Sequence, residues 1–266
     1  MMKLAFLRLT LSAAALLAAA PATAQDAPDE DGGWTVSIGP GAAVRPKFPG
    51  AEELEAGFWP VIDFYRTERG PSFETPDEGF GFGIVGNDKF RVGPTIQIQS
   101  GRDEEDAILG IGDVGTTIEG GAFFESYLSD NLRLRGEVRK GFGGHKGLVG
   151  DVGGDFIMGD IDDFQFSIGP RVRLANKRYV RAFYGVNPAQ SALTGLPVYD
   201  VDGGLHSAGA LAFANYRLSD QLRLQAYGRY DRLLGDAKDS PLVLSDVGSR
   251  NQYEAGIGIA YSFRVR

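Results

Sequence analysis

Between residues 89 and 99 every second side chain is apolar or a ring: Phe90, Val92, Pro94, Ile96 and Ile98 share one side of an extended chain. Lys89, Arg91, Thr95, Gln97 and Gln99 share the other. The same period of two runs through 163–174, where Phe164, Phe166, Ile168, Pro170, Val172 and Leu174 oppose Asp163, Gln165, Ser167, Arg171 and Arg173. Residues 131–138 set Leu132, Leu134 and Val138 against Arg133, Arg135 and Glu137, and 221–225 set Leu222 and Leu224 against Gln221, Arg223 and Gln225. A strand sends successive side chains to opposite faces, whereas a helix scatters such a pattern around its circumference. These four segments are therefore expected to be strands.

Weaker alternation predicts further strands at 34–44, 57–66, 79–85, 116–128, 148–158, 177–185, 205–218 and 252–263, which brings the total to about twelve. The chain carries 38 Gly and 13 Pro, and Asp, Asn and Ser clusters separate the alternating runs. That is strand punctuation. Two echoes suggest repeated hairpins: Leu128-Ser129-Asp130-Asn131-Leu132 resembles Leu218-Ser219-Asp220-Gln221-Leu222, and Gly-Pro recurs at 39–40, 93–94 and 169–170. Proline removes a ladder donor, so the three Gly-Pro pairs are expected at bulges or ladder ends. A strict up-and-down count of twelve puts the two Ser-Asp turns at opposite ends, so either that analogy or that count must fail.

The N-terminus sets the compartment. Lys3 and Arg8 precede an apolar run from Leu9 to Ala20, and Ala22-Thr23-Ala24 follows with small residues. A secretory signal peptide over 1–24 has this form, and the run is short for a retained membrane anchor. A short periplasmic segment, 25–33, and a barrel, 34–266, are expected after it. Loss of Lys3 and Arg8 takes the formal charge from −8 to −10, which argues against a nucleic-acid partner. With no cysteine, the exported chain must hold its fold without disulfides. No later stretch is apolar for long enough to cross a bilayer as a helix, but a barrel strand needs only ~9–11 residues. The expected fold is all-β: a transmembrane antiparallel up-and-down β-barrel in the bacterial outer membrane, with membrane lipid around it.

Alternation alone does not give the sense of the faces, because a lipocalin-like soluble barrel reverses it. Ile257, Ile259, Tyr261 and Phe263 form a C-terminal row similar to the last strand of outer-membrane barrels. About twelve strands also leave a wide interior, which the charged positions would line. Arg91, Arg133, Arg135, Glu137, Arg171, Arg173 and Arg223 are thus the candidate lumen-facing residues. Trp34, Trp59, Tyr65, Tyr127, Tyr216 and Tyr261 are candidates for interfacial girdles, with ordinary strand aromatics as the alternative.

Several segments resemble the MipA/OmpV family of outer-membrane proteins: Gly143-Gly144-His145, Phe183-Tyr184-Gly185-Val186, Ser191 and Gly195-Leu196-Pro197-Val198-Tyr199. Arg232-Leu233, Gly235-Asp236-Ala237, Asp239-Ser240-Pro241 and Gly248 to Gln252 continue the likeness, with Gly101-Arg102 and Gly110 to Asp113 upstream. The resemblance implies an envelope barrel, since the family's named member interacts with a lytic transglycosylase of the murein machinery. Such a barrel could join a murein hydrolase to a murein synthase. Other family members are described as adhesins, antigens or channels.

Catalytic chemistry is sparse. His145 and His206 are the only histidines, and no Cys, G-x-S-x-G or H-E-x-x-H occurs. A barrel hydrolase using Ser207 or Ser240 with either histidine is one alternative class. Asp103 to Asp106, and Asp151, Asp155, Asp160, Asp162 and Asp163, could attract a cation, but such acids are more often solvated. No cofactor, metal or enzyme activity is expected. The loops 187–204 and 233–250 are long for hairpins, and Gly235, Asp236, Asp239, Ser240 and Pro241 are the candidate partner contacts, with a structural plug as the alternative. The leading expectation is a non-enzymatic envelope scaffold, and the alternative is a diffusion channel for small solutes.

Overall fold

Fourteen strand segments follow one another along the chain: β1 (Trp34–Gly39), β2 (Gly41–Pro46), β3 (Leu54–Phe58), β4 (Val61–Arg66), β5 (Phe80–Gly81), β6 (Val85–Asn87), β7 (Phe90–Gln99), β8 (Thr117–Ser129), β9 (Leu132–Gly143), β10 (Leu148–Gly159), β11 (Phe164–Ala175), β12 (Gly204–Arg217), β13 (Leu222–Leu233) and β14 (Asn251–Val265). This computed structural model describes residues 33–265 except Asp88. The expected signal peptide, 1–24, and all but the last residue of the 25–33 segment lie outside the described residues.

From β7 to β14 each strand pairs antiparallel with the next. β14 then pairs with β1 and β2, so the first and last strands meet and the sheet curls into a barrel. β4 and β3 continue the ladder beyond β1 and β2, and β5 and β6 flank β7 on the other side. Between those two ends the seam is made by rings: Phe64 meets Phe80 and Phe82 at centroid distances of 5.0 and 6.0 Å.

The faces sort as a membrane barrel requires. Ile96, Ile98, Leu134, Val138, Phe164, Ile168 and Leu174 are exposed on the outside, while Arg133, Arg135, Glu137, Gln165, Ser167 and Arg171 are buried within. Water would penalise that outer surface, and hydrocarbon would penalise the inner one. The lipocalin-like alternative is thereby excluded.

The twelve expected strands become eleven ribs, because β1/β2, β3/β4 and β5/β6 are each one rib with an interruption. The lost rib is 177–185, which is helical: α1 spans Lys177–Tyr184, and a second helix, α2, spans Pro188–Thr194. Tyr179, Val180, Phe183 and Tyr184 are its buried positions, spaced as one helical face. Asn176 caps the helix by accepting from the Tyr179 amide. Removing that strand puts the Ser129-Asp130 and Ser219-Asp220 turns at the same end of the barrel, so it was the count that failed and not the analogy. The short connections 130–131, 160–163 and 218–221 share this end, and the long ones after β7, β11 and β13 share the other.

The Gly-Pro expectation holds for the ladders: Pro40 interrupts a rib between β1 and β2, and the pairs 93–94 and 169–170 lie inside β7 and β11 where β5 and β6 part with a one-residue shift of register and where the β10–β11 pairing skips Gly169 and Pro170. In the latter two the glycine is buried on the inner side and the proline is exposed outside. A Cβ on Gly93 or Gly169 would overlap the carbonyl oxygen of Phe82 or Gly154 on the neighbouring rib, so glycine permits close strand approach there.

Candidate functional site in the lumen and its lid

An antiparallel pairing of first and last ribs demands an even number of ribs, and eleven is odd. The parity is restored by residues 67–79. β3/β4 and β5/β6 run in the same direction, so the chain leaving Arg66 at the short-turn end must return toward the long-loop end before β5 can begin. It returns through the interior. Phe73 is buried against Phe213 and under the Arg133 guanidinium, and Asp77 and Glu78 bond to arginines of four different positions on the wall.

This strap completes a lattice of buried charge. Arg133, with no exposed surface, donates to both Glu78 carboxylate oxygens at 2.6 and 2.8 Å, to Glu125 at 2.8 Å and to Asp155 at 3.2 Å. Arg135 donates to Glu137 and Glu125, and Arg171 to Asp77 and Asp155, both at 2.7 Å. Arg173 bonds to Asp151, Arg91 to Glu125, and Arg229 lies between Asp231 and Asp77. A buried charge costs several kcal/mol to desolvate, which only multiple well-placed bonds offset. Arg133, Arg135, Arg171 and Arg173 each have several.

The alternation that placed Arg91, Arg133, Arg135, Glu137, Arg171 and Arg173 on one face thus gathers them into one network. Arg223 stands apart at the short-turn rim, donating to the Ile161 carbonyl at 3.1 Å. Sequence reasoning missed Arg139, which bonds to Glu119, Glu137 and Asp151, although it extends the 133, 135, 137 row by one step. It also missed Arg229 and the strap acids, since residues 71–78 have no period to read. Of the girdle candidates, Trp34, Tyr216 and Tyr261 lie on the outer face near the short-turn end. Trp59, Tyr65 and Tyr127 do not: Trp59 and Tyr127 pack on the inner cluster around Phe73, Phe213 and Tyr227, and Tyr65 shares its inner side with Asp63.

Among the described residues the interior keeps a chamber of about 240 Å³ toward the short turns and one of about 280 Å³ toward the long loops, and the strap borders both. Above the second sits a lid with its own apolar core, made of Tyr179, Phe183 and Tyr184 of α1 with Val114, Val201, Leu233 and Val243. The partner-contact candidates belong to this lid. Ser240 is fully buried and donates to the Tyr184 carbonyl at 2.7 Å. The Asp236 carboxylate accepts from the Asp202 amide, and its carbonyl accepts from the Tyr199 hydroxyl. Asp239 pairs with Lys238 and Arg250, Gly235 has a left-handed φ of 51°, and Pro241 follows the buried serine. Arg102 donates to the Phe183 and Gly112 carbonyls; burial without a bonded carboxylate draws its pKa down to about 10.

Neither histidine bonds to a serine hydroxyl among the described residues. His145 meets Glu119 at 2.9 Å and accepts from the Gly147 amide, while His206 meets the Tyr184 hydroxyl at 3.1 Å. Of the acids at 103–106, Glu104 accepts from the Gly110 and Gly112 amides and Asp106 pairs with Lys47, so they fasten a loop.

The model of the MltA-interacting protein MipA family matches residues 38–263. No curated protein matches. Among solved structures, the COG4313 outer membrane channel from Pseudomonas putida F1 aligns with 8% identity over 90% of this chain and 100% of that one, at a TM-score of 0.44. The outer membrane protein OprG from Pseudomonas aeruginosa aligns with 10% identity over 90% and 99%, at 0.25. The outer membrane protease OmpT from Escherichia coli aligns with 9% identity over 90% and 99%, at 0.30.

Proposed function

The chain belongs to the MltA-interacting protein MipA family of outer-membrane β-barrels, and from that premise we propose that it is a non-enzymatic envelope scaffold that binds a periplasmic murein hydrolase of the lytic transglycosylase class. The observation that carries this reading is the filled lumen. A barrel whose mid-lumen arginines 133, 135, 171 and 173 are engaged by carboxylates, and whose interior is crossed by its own chain under a packed lid, is built as a rigid platform. That interior also weighs against the diffusion-channel alternative in the resting state.

Outer-membrane barrels keep short turns on the periplasmic side and long loops outside. On that rule the docking end carries the 130–131, 160–163 and 218–221 turns, and the lid faces the exterior. Asp162 and Asp220 are well exposed at this end, each paired with Arg217, and offer a partner a surface of mixed charge. The test is co-elution of the purified barrel in phospholipid nanodiscs with a purified lytic transglycosylase and, separately, with a periplasmic extract. Retention of the transglycosylase, weakening as salt is raised, is the expected result. Reproducible failure to retain that enzyme or any other murein enzyme overturns the reading.

A further inference from the structure

The lipid-facing wall is not uniformly covered. A groove of about 440 Å³ lies on it where β11 to β14 pair. Its floor is the row of outward alanines on β12, from Ala208 to Ala214, with Ile168 and Pro170 of β11 standing beside them in register. Across the floor Ala212 pairs with Gly228, Gly228 with Ala255 and Ala255 with Val44, so one outward row runs from Ile168 to Val44 through small residues alone. A Cβ on Gly228 would meet nothing within 4 Å. Toward the long-loop rim the Tyr230 and Tyr253 rings, 5.2 Å apart, raise a wall. From Ala208 to Ala214 the floor is about 20 Å long at ~3.3 Å per residue, which the tilt of barrel strands brings close to the depth of one leaflet.

The rim end of the groove is cationic. Arg232, exposed on the outer face, pairs in register with Ala208 and donates to Asn251 Oδ1 at 2.9 Å. That oxygen also accepts from the Tyr230 hydroxyl, and the other N–H groups of the Arg232 guanidinium have no protein acceptor among the described residues. Along β7 to β14 the outward positions carry two charged side chains, Lys140 and Arg232, and among the described residues no carboxylate. The occupant must therefore bring the anion. A second copy of the chain cannot, because, inserted in the same sense, it would set its own Arg232 at the same height with no acid to meet it.

We propose that this groove binds a phosphorylated lipid of the outer leaflet, with one acyl chain over Gly228 and the alanines of β12 and a headgroup phosphate on Arg232. The planar guanidinium fork matches a phosphate, which membrane lipids carry at the height of the rim. The leaflet follows from the loop-length rule. The inference does not rest on the scaffold reading, and its test fails independently of that one.

The probe is bisphosphorylated lipid A, titrated into the purified barrel in non-ionic detergent and counted by native mass spectrometry. One adduct should saturate ahead of the rest, and the same lipid stripped of its phosphates should add only in proportion to its concentration. Arg232→Gln should weaken the saturable adduct roughly tenfold, the loss of one charge-assisted hydrogen bond. Gly228→Leu fills the floor and should weaken it several-fold. Both positions are exposed, so the variants keep the fold, which unchanged heat-modifiable gel mobility verifies. Adducts indifferent to both substitutions, or equal for the stripped lipid, mean an unspecific lipid annulus and overturn the proposal. So does a dimer that Gly228→Leu dissociates, since the occupant is then a second copy.

Discussion

Replacing Arg133 with methionine should destabilise the barrel by about 3–5 kcal/mol, the cost of breaking a buried ion pair from one side. Three carboxylates converge on this one guanidinium, and two of them, Glu125 and Asp155, have almost no exposed surface. Methionine fills much of the volume but leaves those charges facing one another. Urea unfolding from phospholipid vesicles measures the loss. Adding Glu78→Gln should recover part of it, because the strap then brings no charge into the gap, and the double-mutant cycle should show coupling of more than about 1 kcal/mol. A methionine variant within about 0.5 kcal/mol of the native barrel would mean that the lattice is solvated and the interior open.

The second large effect concerns conduction. The lumen has two stoppers in series, the strap at mid-height and the lid at the long-loop mouth, so opening one leaves the other shut. The strap is held at both ends, since β3/β4 and β5/β6 run in the same direction and their connection must traverse the barrel's height. It can only loosen. Asp77→Asn with Glu78→Gln removes the carboxylates that tie it to Arg133, Arg135, Arg171 and Arg229. The helical half of the lid can be cut away by replacing residues 177–201 with a short Gly-Ser turn, because Ala175 and Gly204 already pair across the gap, and the rest then loses the apolar core that packs it on α1. In planar bilayers the native barrel and either single change should be silent, and the combination should pass steady current. Steady current through the native protein, or silence from the folded combination, would contradict the series arrangement.

Much of this architecture is written in the period of two. Along β9 and β11 the pleat forces each arginine to the side opposite its apolar neighbours, and the burial of Arg133, Arg135 and Arg171 follows from register alone. α1 escaped that reading because Tyr179, Val180, Phe183 and Tyr184 are residues that favour strands, and only their three- and four-residue spacing marks a helix. The strap escaped for another reason. Proline at 71 and 76 and acids at 74, 77 and 78 describe an ordinary solvated connection, and what sends it inside is the topology of strands far away in sequence. The segments from 183 to 252 that carry the family resemblance likewise lie far apart along the chain; Tyr184, Tyr199, Asp236 and Ser240 meet only when the lid assembles.

The orientation of the two faces underlies the scaffold and the stoppers alike. Nitroxide scanning of 164–174 in vesicles tests it most directly, since a chain without cysteine takes one label at a time. Collision with dissolved oxygen should peak at 164, 166, 168 and 174 and fall at 165, 167, 171 and 173, because oxygen concentrates in the hydrocarbon. Peaks at 165, 167, 171 and 173, or a flat profile along β11, would place the charged face against lipid and refute the account.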